Sequence, residues 1–376
     1  KKEEYIDEVK SVVRLFEHKK SGARLLHLEN DDDNKVFSIA FKTPPYDNTG
    51  LPHILEHSVL CGSKKFPIKE PFVELMKSSM NTFLNAVTYP DKTVYPVGSK
   101  NEKDLFNLMD VYLDAVFYPK IYEKPEIFMQ EGWHYHFDEK GERINLNGVV
   151  YNEMRGLYSL PEMLLEDISL ESLYPDTAYA FSAGGTPEEI PSLKYEKFLE
   201  FHKTYYHPSN SYIFLYGNGD IERQMEFLDE KYLSNFSRRK VDVSLGLQKP
   251  LKKLKHVNSK YSISKEESLK GKNYFSLNYA LNPNLKKIEK FALEILNYYL
   301  METKSAPLKR ILLEEKIGTG VFGQTEFGML YPYISFIVKN ANDGKEKAFL
   351  EIVNKTLGEI LSKGLNKDLL KACLSR

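Results

Sequence analysis

The strongest constraint on the fold is an order of elements that is written twice. Between about Arg238 and Lys272 the apolar density falls and lysines and serines accumulate (KKLKHVNSKYSISKEESLKGK). Beyond that stretch the sequence strand, helix, helix, strands and helix begins again, as in a structural duplication. A chain of 376 residues is long for one ordinary core, and 42% hydrophobic residues suffice to fill two. The expectation is an α+β protein of two related two-layer α/β domains, each an antiparallel-rich mixed sheet with helices on one face. They would occupy residues 1–237 and 273–376, with a linker region at 238–272.

Within the first half, Ala23–Leu28 and Val36–Phe41 flank the acidic turn Asp31–Asn34 and are expected to pair as strands. Leu51–Cys61 and Pro71–Met80 read as helices, Ala86–Val97 as a strand, and Asn101 as the N-cap of a helix stopped by Pro119. Asn147-Gly148 is a turn before the long segment Val149–Leu173, read mainly as helix; Tyr212–Tyr216 is a strand, and Asp220 caps the helix after it. In the second half the expected elements are a strand at Tyr274–Ala280, a long helix from about Lys286 to Met301, and a helix opening at Ala306-Pro307. Strands follow from Val321 to Val338, then a helix from Lys345.

The 52 basic residues nearly balance the 53 acidic ones, so charge indicates neither a nucleic acid nor an anionic membrane as partner. No run of about 18 apolar residues is present. The two cysteines, Cys61 and Cys373, make no disulfide framework and fit a reducing compartment. That would be the cytoplasm in a bacterium, or the mitochondrial matrix or another organelle lumen in a eukaryote. The chain begins without Met and ends inside a helix opened by Asn366, so it reads as a piece of a longer one.

Chemistry is carried by His53-Ile54-Leu55-Glu56-His57. On a helix the two imidazoles lie one turn apart on one face and can reach a single zinc ion, with Glu56 beside them. A carboxylate so placed can take a proton from water that the metal has acidified and pass it to a leaving amine. This H-x-x-E-H order is the inverzincin signature. The competing expectation is a solvated polar stripe opposite Ile54, Leu55, Val59 and Leu60. A third protein ligand is required, and spacing leaves Glu131, Glu139, Glu142 and Glu153 all open. Cys61, Trp133, His134, His136, His202 and His207 are expected to pack or cap, with His134 a candidate to orient a ligand, and Lys249–Lys255 to form a solvated face.

The segments around HILEH, then QEGWHYHF, GVVYNEMRG, the pair Gly184-Gly185 with Pro187, and FHKTYYHPSN closely resemble the presequence protease and falcilysin branch of the pitrilysin/insulinase family. The similarity is specific from about Glu3 to Asn235 and weaker beyond, where ETKSAPLKRILLEEKIGTGVFG is the most recognisable part. The resemblance implies a zinc-dependent endopeptidase acting on short unstructured peptides, such as cleaved targeting sequences. His53, His57 and Glu153 would be its ligands for one zinc and Glu56 its base. It also implies that Asn85-Ala86 is the sheet edge to which a peptide adds as a strand, a mode in which backbone hydrogen bonds give affinity with little dependence on side chains. Such enzymes resemble a clamshell of four related domains. The C-terminal half, which in the family brings an arginine and a tyrosine towards the substrate carbonyl, is absent here. A chain without it is expected to hold zinc and cleave poorly alone. The alternative is a non-catalytic binding or scaffold subunit of the same fold, although such a subunit would be expected to lack one of His53, Glu56, His57 or Glu153.

Overall fold

Phe37, Ile39 and Phe41 alternate along one strand and are all fully buried, the period-two pattern of a strand with one face in a core. The computed structural model describes residues 2–69, 71–138 and 140–375. It places that strand in the main sheet of a first compact unit, Lys1–Tyr158 with Thr177–Leu247. The strands of this unit are β1 (Lys2–Ile6), β2 (Ser11–Glu17), β3 (Arg24–Glu29), β4 (Lys35–Lys42), β5 (Asn81–Leu84), β6 (Val87–Thr88), β7 (Lys92–Ser99), the separate hairpin β8 (His134–Phe137) and β9 (Ile144–Asn147), and β10 (Ser211–Gly217). The main sheet runs β1-β2-β3-β10-β4-β7-β5, with β6 also on β7.

β3 and β4 are both strands, but they do not pair. β10 lies between them, parallel to β3 and antiparallel to β4. Ser211, Ile213 and Leu215 of β10 are buried, and a central place satisfies both edges of its backbone. The acidic turn after β3 therefore spans the width of one intervening strand, about 10 Å, well within the reach of its residues.

The helices are α1 (Leu51–Val59), α2 (Pro71–Ser78), α3 (Glu102–Phe117), α4 (Pro125–Glu131), α5 (Val149–Leu157), α6 (Pro161–Leu173), α7 (Tyr195–Tyr205) and α8 (Ile221–Lys231). The Asn101 side chain accepts the Asp104 N–H and starts α3, which buries Leu105, Leu108, Met109, Tyr112 and Val116 against β4 and β7. The Asp220 side chain caps α8 in the same way, accepting from Glu222 and Arg223.

The histidines of the α7 region are structural. His207 Nδ1 accepts the Ser209 N–H at 3.1 Å. His202 is buried, with Nε2 2.9 Å from the Val116 carbonyl and Nδ1 2.8 Å from the Tyr122 hydroxyl, so the neutral ring donates through Nε2 and accepts through Nδ1. Burial pushes its pKa down from 6.5 to about 4. The folded state thus resists a proton that the unfolded chain takes up, so stability present above pH 6.5 is lost as pH falls towards 4. Between pH 7 and pH 4 the wild type should lose about 3 kcal/mol more unfolding free energy than His202→Gln. Denaturant titrations at the two pH values check this, and equal losses would refute it.

The second unit, Ser159–Asp176 with Gln248–Arg376, contains β11 (Asn273–Ala280), α9 (Lys287–Asn297), α10 (Pro307–Glu314), β12 (Gly320–Glu326), β13 (Tyr333–Ala341), α11 (Glu346–Lys363) and α12 (Lys367–Leu374). Its antiparallel sheet runs β11-β13-β12, and one face carries the core of Leu277, Phe336, Val338, Phe349 and Val353. The other face is polar and meets α6, where Asn278 donates to Ser169 at 3.1 Å and Lys339 pairs with Glu162. The segment Val149–Leu173, expected to be mainly helix, is two helices, α5 and α6. Leu160 takes an extended conformation before Pro161, as residues before proline prefer, and the chain leaves the first unit there. Residues 159–176, expected within the first domain, cluster with the second unit. No helix among the described residues is long and apolar enough to cross a membrane.

Candidate metal centre

α1 is short but firmly seated. Leu51, Ile54, Leu55 and Val59 are buried in the first unit's core, which turns His53, Glu56 and His57 towards α5 and β6. Gly50 caps its start with φ of 69°, and a Cβ there would lie 2.5 Å from the Gly184 carbonyl oxygen. A Cβ on Gly184 would lie 2.8 Å from Met154 Cε on α5. The glycine pair thus lets one loop lie against both helices of the site. Gly148, at the start of α5, faces a tighter limit: φ is 154° and a Cβ would come within 2.1 Å of the Gly132 carbonyl oxygen.

These contacts bring His53, His57 and Glu153 together. Each offers one ligand atom, and the three atoms lie within 4.8 Å of one another. Glu153 Oε2 is 3.8 Å from His53 Nε2 and 3.8 Å from His57 Nε2, too far for hydrogen bonds. Tetrahedral zinc with bonds of about 2.1 Å sets its ligands about 3.4 Å apart, so the two distances from Glu153 need to close by only a few tenths of an ångström. Two imidazoles and a carboxylate with a fourth position free are a donor set suited to catalytic zinc. The residues fit the ion. Among the described residues no other group of three such side chains converges in this way.

Of the four glutamates left open by spacing, Glu153 projects from α5 into the cluster, with its side chain 46% exposed. Glu131, on α4, is 6% exposed and takes a different place. Its Oε2 is 3.3 Å from His57 Nδ1, and its Oε1 accepts from Gln130 at 2.9 Å and from the Cys61 thiol at 3.4 Å. A proton on His57 Nδ1 facing Glu131 leaves the Nε2 lone pair turned to the cluster, the usual way a carboxylate orients a liganding histidine. Glu142 lies in the β8–β9 turn, and Glu139 falls outside the described residues. His134 is tied to the Met129 carbonyl at 2.8 Å in the hairpin. The role of Glu131 was not legible from spacing, since 74 residues separate it from His57. Glu131→Gln should weaken zinc binding about 10- to 100-fold, measured by competition with a chelator. An unchanged affinity would remove Glu131 from the site.

The electrostatics follow from burial. For His53, burial and the neighbouring His57 hold the pKa down and outweigh Glu153, keeping the ring neutral as a ligand must be. His53 Nδ1 is buried without a hydrogen bond of good geometry, although the adjacent Gly184 backbone favours its proton. For His57, burial opposes the charged form, but the Glu131 hydrogen bond and the charges of Glu56, Glu131 and Glu153 raise the pKa. Glu131 is correspondingly lowered, its hydrogen bonds overcoming its burial. Glu56 is 6% exposed, which contradicts a solvated stripe, and burial raises its pKa above the ordinary carboxylate value against the hydrogen bond from the Thr88 hydroxyl.

Asn85 and Ala86 lie at the break between β5 and β6, both of which pair with β7 alone and so form an edge of the sheet. The Asn85 N–H donates to the Pro96 carbonyl at 3.2 Å and the Tyr112 hydroxyl donates to the Asn85 carbonyl at 3.3 Å, which holds the break in place.

Residues 43–133 match the sequence profile of the insulinase family of peptidases, M16, and residues 192–376 match that of the M16 inactive domain. The chain belongs to the M16 peptidase family. It is 50% identical over 373 residues to protein HypA of Clostridium perfringens, covering 99% of this chain and 38% of that one. To the chloroplastic/mitochondrial presequence protease 1 of Arabidopsis thaliana it is 42% identical over 377 residues, covering 99% of this chain and 35% of the relative. The M16 chain described here thus spans less than two-fifths of the length of these curated relatives. A solved structure of a protease from Helicobacter pylori shares the fold at a TM-score of 0.74 and 16% identity, over 96% of this chain and 82% of that one.

Proposed function

We propose that this chain is the zinc-holding part of an endopeptidase that cleaves short, unstructured peptides, with His53, His57 and Glu153 as the ligands of one zinc. The observation that carries the reading is the convergence of those three ligand atoms beside the buried carboxylate of Glu56. Bound zinc would supply Lewis-acid chemistry, acidifying water and polarising the scissile carbonyl. Glu56 takes the proton released when water attacks that carbonyl and returns it to the leaving amine. A carboxyl whose pKa is raised by burial is suited to both transfers. The edge at Asn85-Ala86 holds the peptide as an added strand, so an extended backbone is what the site selects.

Peptide substrates and the remaining length found in the relatives are the partners this reading implies. The second reading, a chain that binds zinc but needs that further length for turnover, is favoured by one fact: the relatives matched along 99% of this chain are more than twice as long. Both readings are tested by incubating the chain, at high concentration, with an unstructured peptide, with and without a chelator. A full-length presequence protease serves as the comparison. Zinc-dependent cleavage, slower than that of the full-length enzyme, is expected. Cleavage that survives the chelator would overturn the metal-dependent reading, and turnover equal to the full-length enzyme would overturn the second.

A further inference from the structure

We infer that Thr88 is a positioning residue that pins the proposed base Glu56 to the same strand edge that would hold the peptide. The inference rests on the peptidase reading above. Thr88 Oγ1 donates to Glu56 Oε2 at 2.6 Å, a short charge-assisted hydrogen bond between half-buried β6 and buried α1. With Oε2 so engaged, Oε1 is the oxygen left for proton transfer.

The place of Thr88 in the chain gives the bond its consequence. β6 is two residues long and follows directly on Asn85-Ala86, and it is registered on β7 through Val87 opposite Val94 and Thr88 opposite Thr93. On the other side of the break, the Tyr112 hydroxyl holds the Asn85 carbonyl. The four residues 85–88 are therefore clamped from α3 at one end and to α1 at the other. A peptide added to this edge takes its position from the backbone of the strand. Because Glu56 on α1 is tied to that strand too, the hydrogen bond holds the base at a defined distance from the strand that would position the scissile carbonyl. Misplacement by about 1 Å at such a site costs on the order of 100-fold in rate.

The effect belongs on turnover, since Thr88 contributes no ligand to the metal and the peptide is held by backbone. The test compares wild type, Thr88→Val and Thr88→Ser by zinc content, peptide affinity and cleavage rate at saturating peptide. Thr88→Val keeps the branched shape and loses the donor, and Thr88→Ser keeps the donor and loses the methyl. Expected are unchanged zinc content and peptide affinity within about twofold in both variants, with kcat lowered about 10- to 100-fold in Thr88→Val and restored to within about threefold of wild type in Thr88→Ser. Equal kcat in wild type and Thr88→Val would overturn the inference, and equal losses in both variants would make Thr88 a matter of shape. Absence of zinc-dependent cleavage in the wild type would instead sink the reading of this chain as a peptidase by itself, and this inference with it.

Discussion

One zinc per wild-type chain and close to none in His53→Ala or His57→Ala is the expected result of metal analysis after dialysis against micromolar zinc. Each substitution removes one of three converging donors, and the two atoms left cannot hold the ion against water. The loss should also appear in stability. Zinc at about 1,000 times its dissociation constant stabilises a folded chain that binds it by about 4 kcal/mol, so the wild type should unfold at a higher temperature with zinc than with a chelator. The two variants should show no such difference. His57→Ala removes the partner of Glu131 as well, leaving a buried carboxylate short of a donor, and should therefore be the less stable of the two without metal. Were these side chains a polar stripe, wild type and variants would carry the same trace of metal and melt alike. Retention of a full equivalent of zinc in either variant would disprove the ligand assignment.

Glu56→Gln should separate binding from chemistry. The amide keeps the shape and can still meet Thr88, and Glu56 is not among the three converging donors, so zinc content should stay at one per chain. What is lost is a group able to take a proton. General-base catalysis contributes about 100- to 10,000-fold, and a loss of that size in peptide cleavage is expected at pH 7 with peptide affinity preserved. If the variant cleaved at the wild-type rate, Glu56 would have no part in the reaction. If it lost zinc, its carboxylate would have to be counted with the ligands. Either outcome is readable from one preparation by metal analysis and mass spectrometry of the products.

What was legible in the sequence is what short-range geometry controls. An i, i+4 spacing of His53 and His57 specifies one helical face, and α1 is a helix there; Asn101, Asp220 and Asn366 cap the helices they were expected to cap, because an N-cap is a contact over two or three residues. The paired glycines could be noted from the sequence by resemblance alone, and their reason is visible only where Gly50, Gly184 and Met154 meet.

What only the tertiary structure decided is what depends on partners far away along the chain. Spacing could not choose among four glutamates, since nothing local tells whether a carboxylate on another helix faces the two histidines of the motif or the back of one of them. The packing of α4 and α5 on α1 turns Glu153 to the cluster and Glu131 to His57 Nδ1. Strand neighbours are of the same kind: Ala23–Leu28 and Val36–Phe41 look like a pair because they are adjacent in sequence, yet β10, arriving some 170 residues later, offers both of them a buried strand and takes the place between. The motif was therefore written in five residues, whereas the carboxylate that joins its two histidines, the one behind His57 and the strand that meets Glu56 were decided by packing between elements remote in sequence.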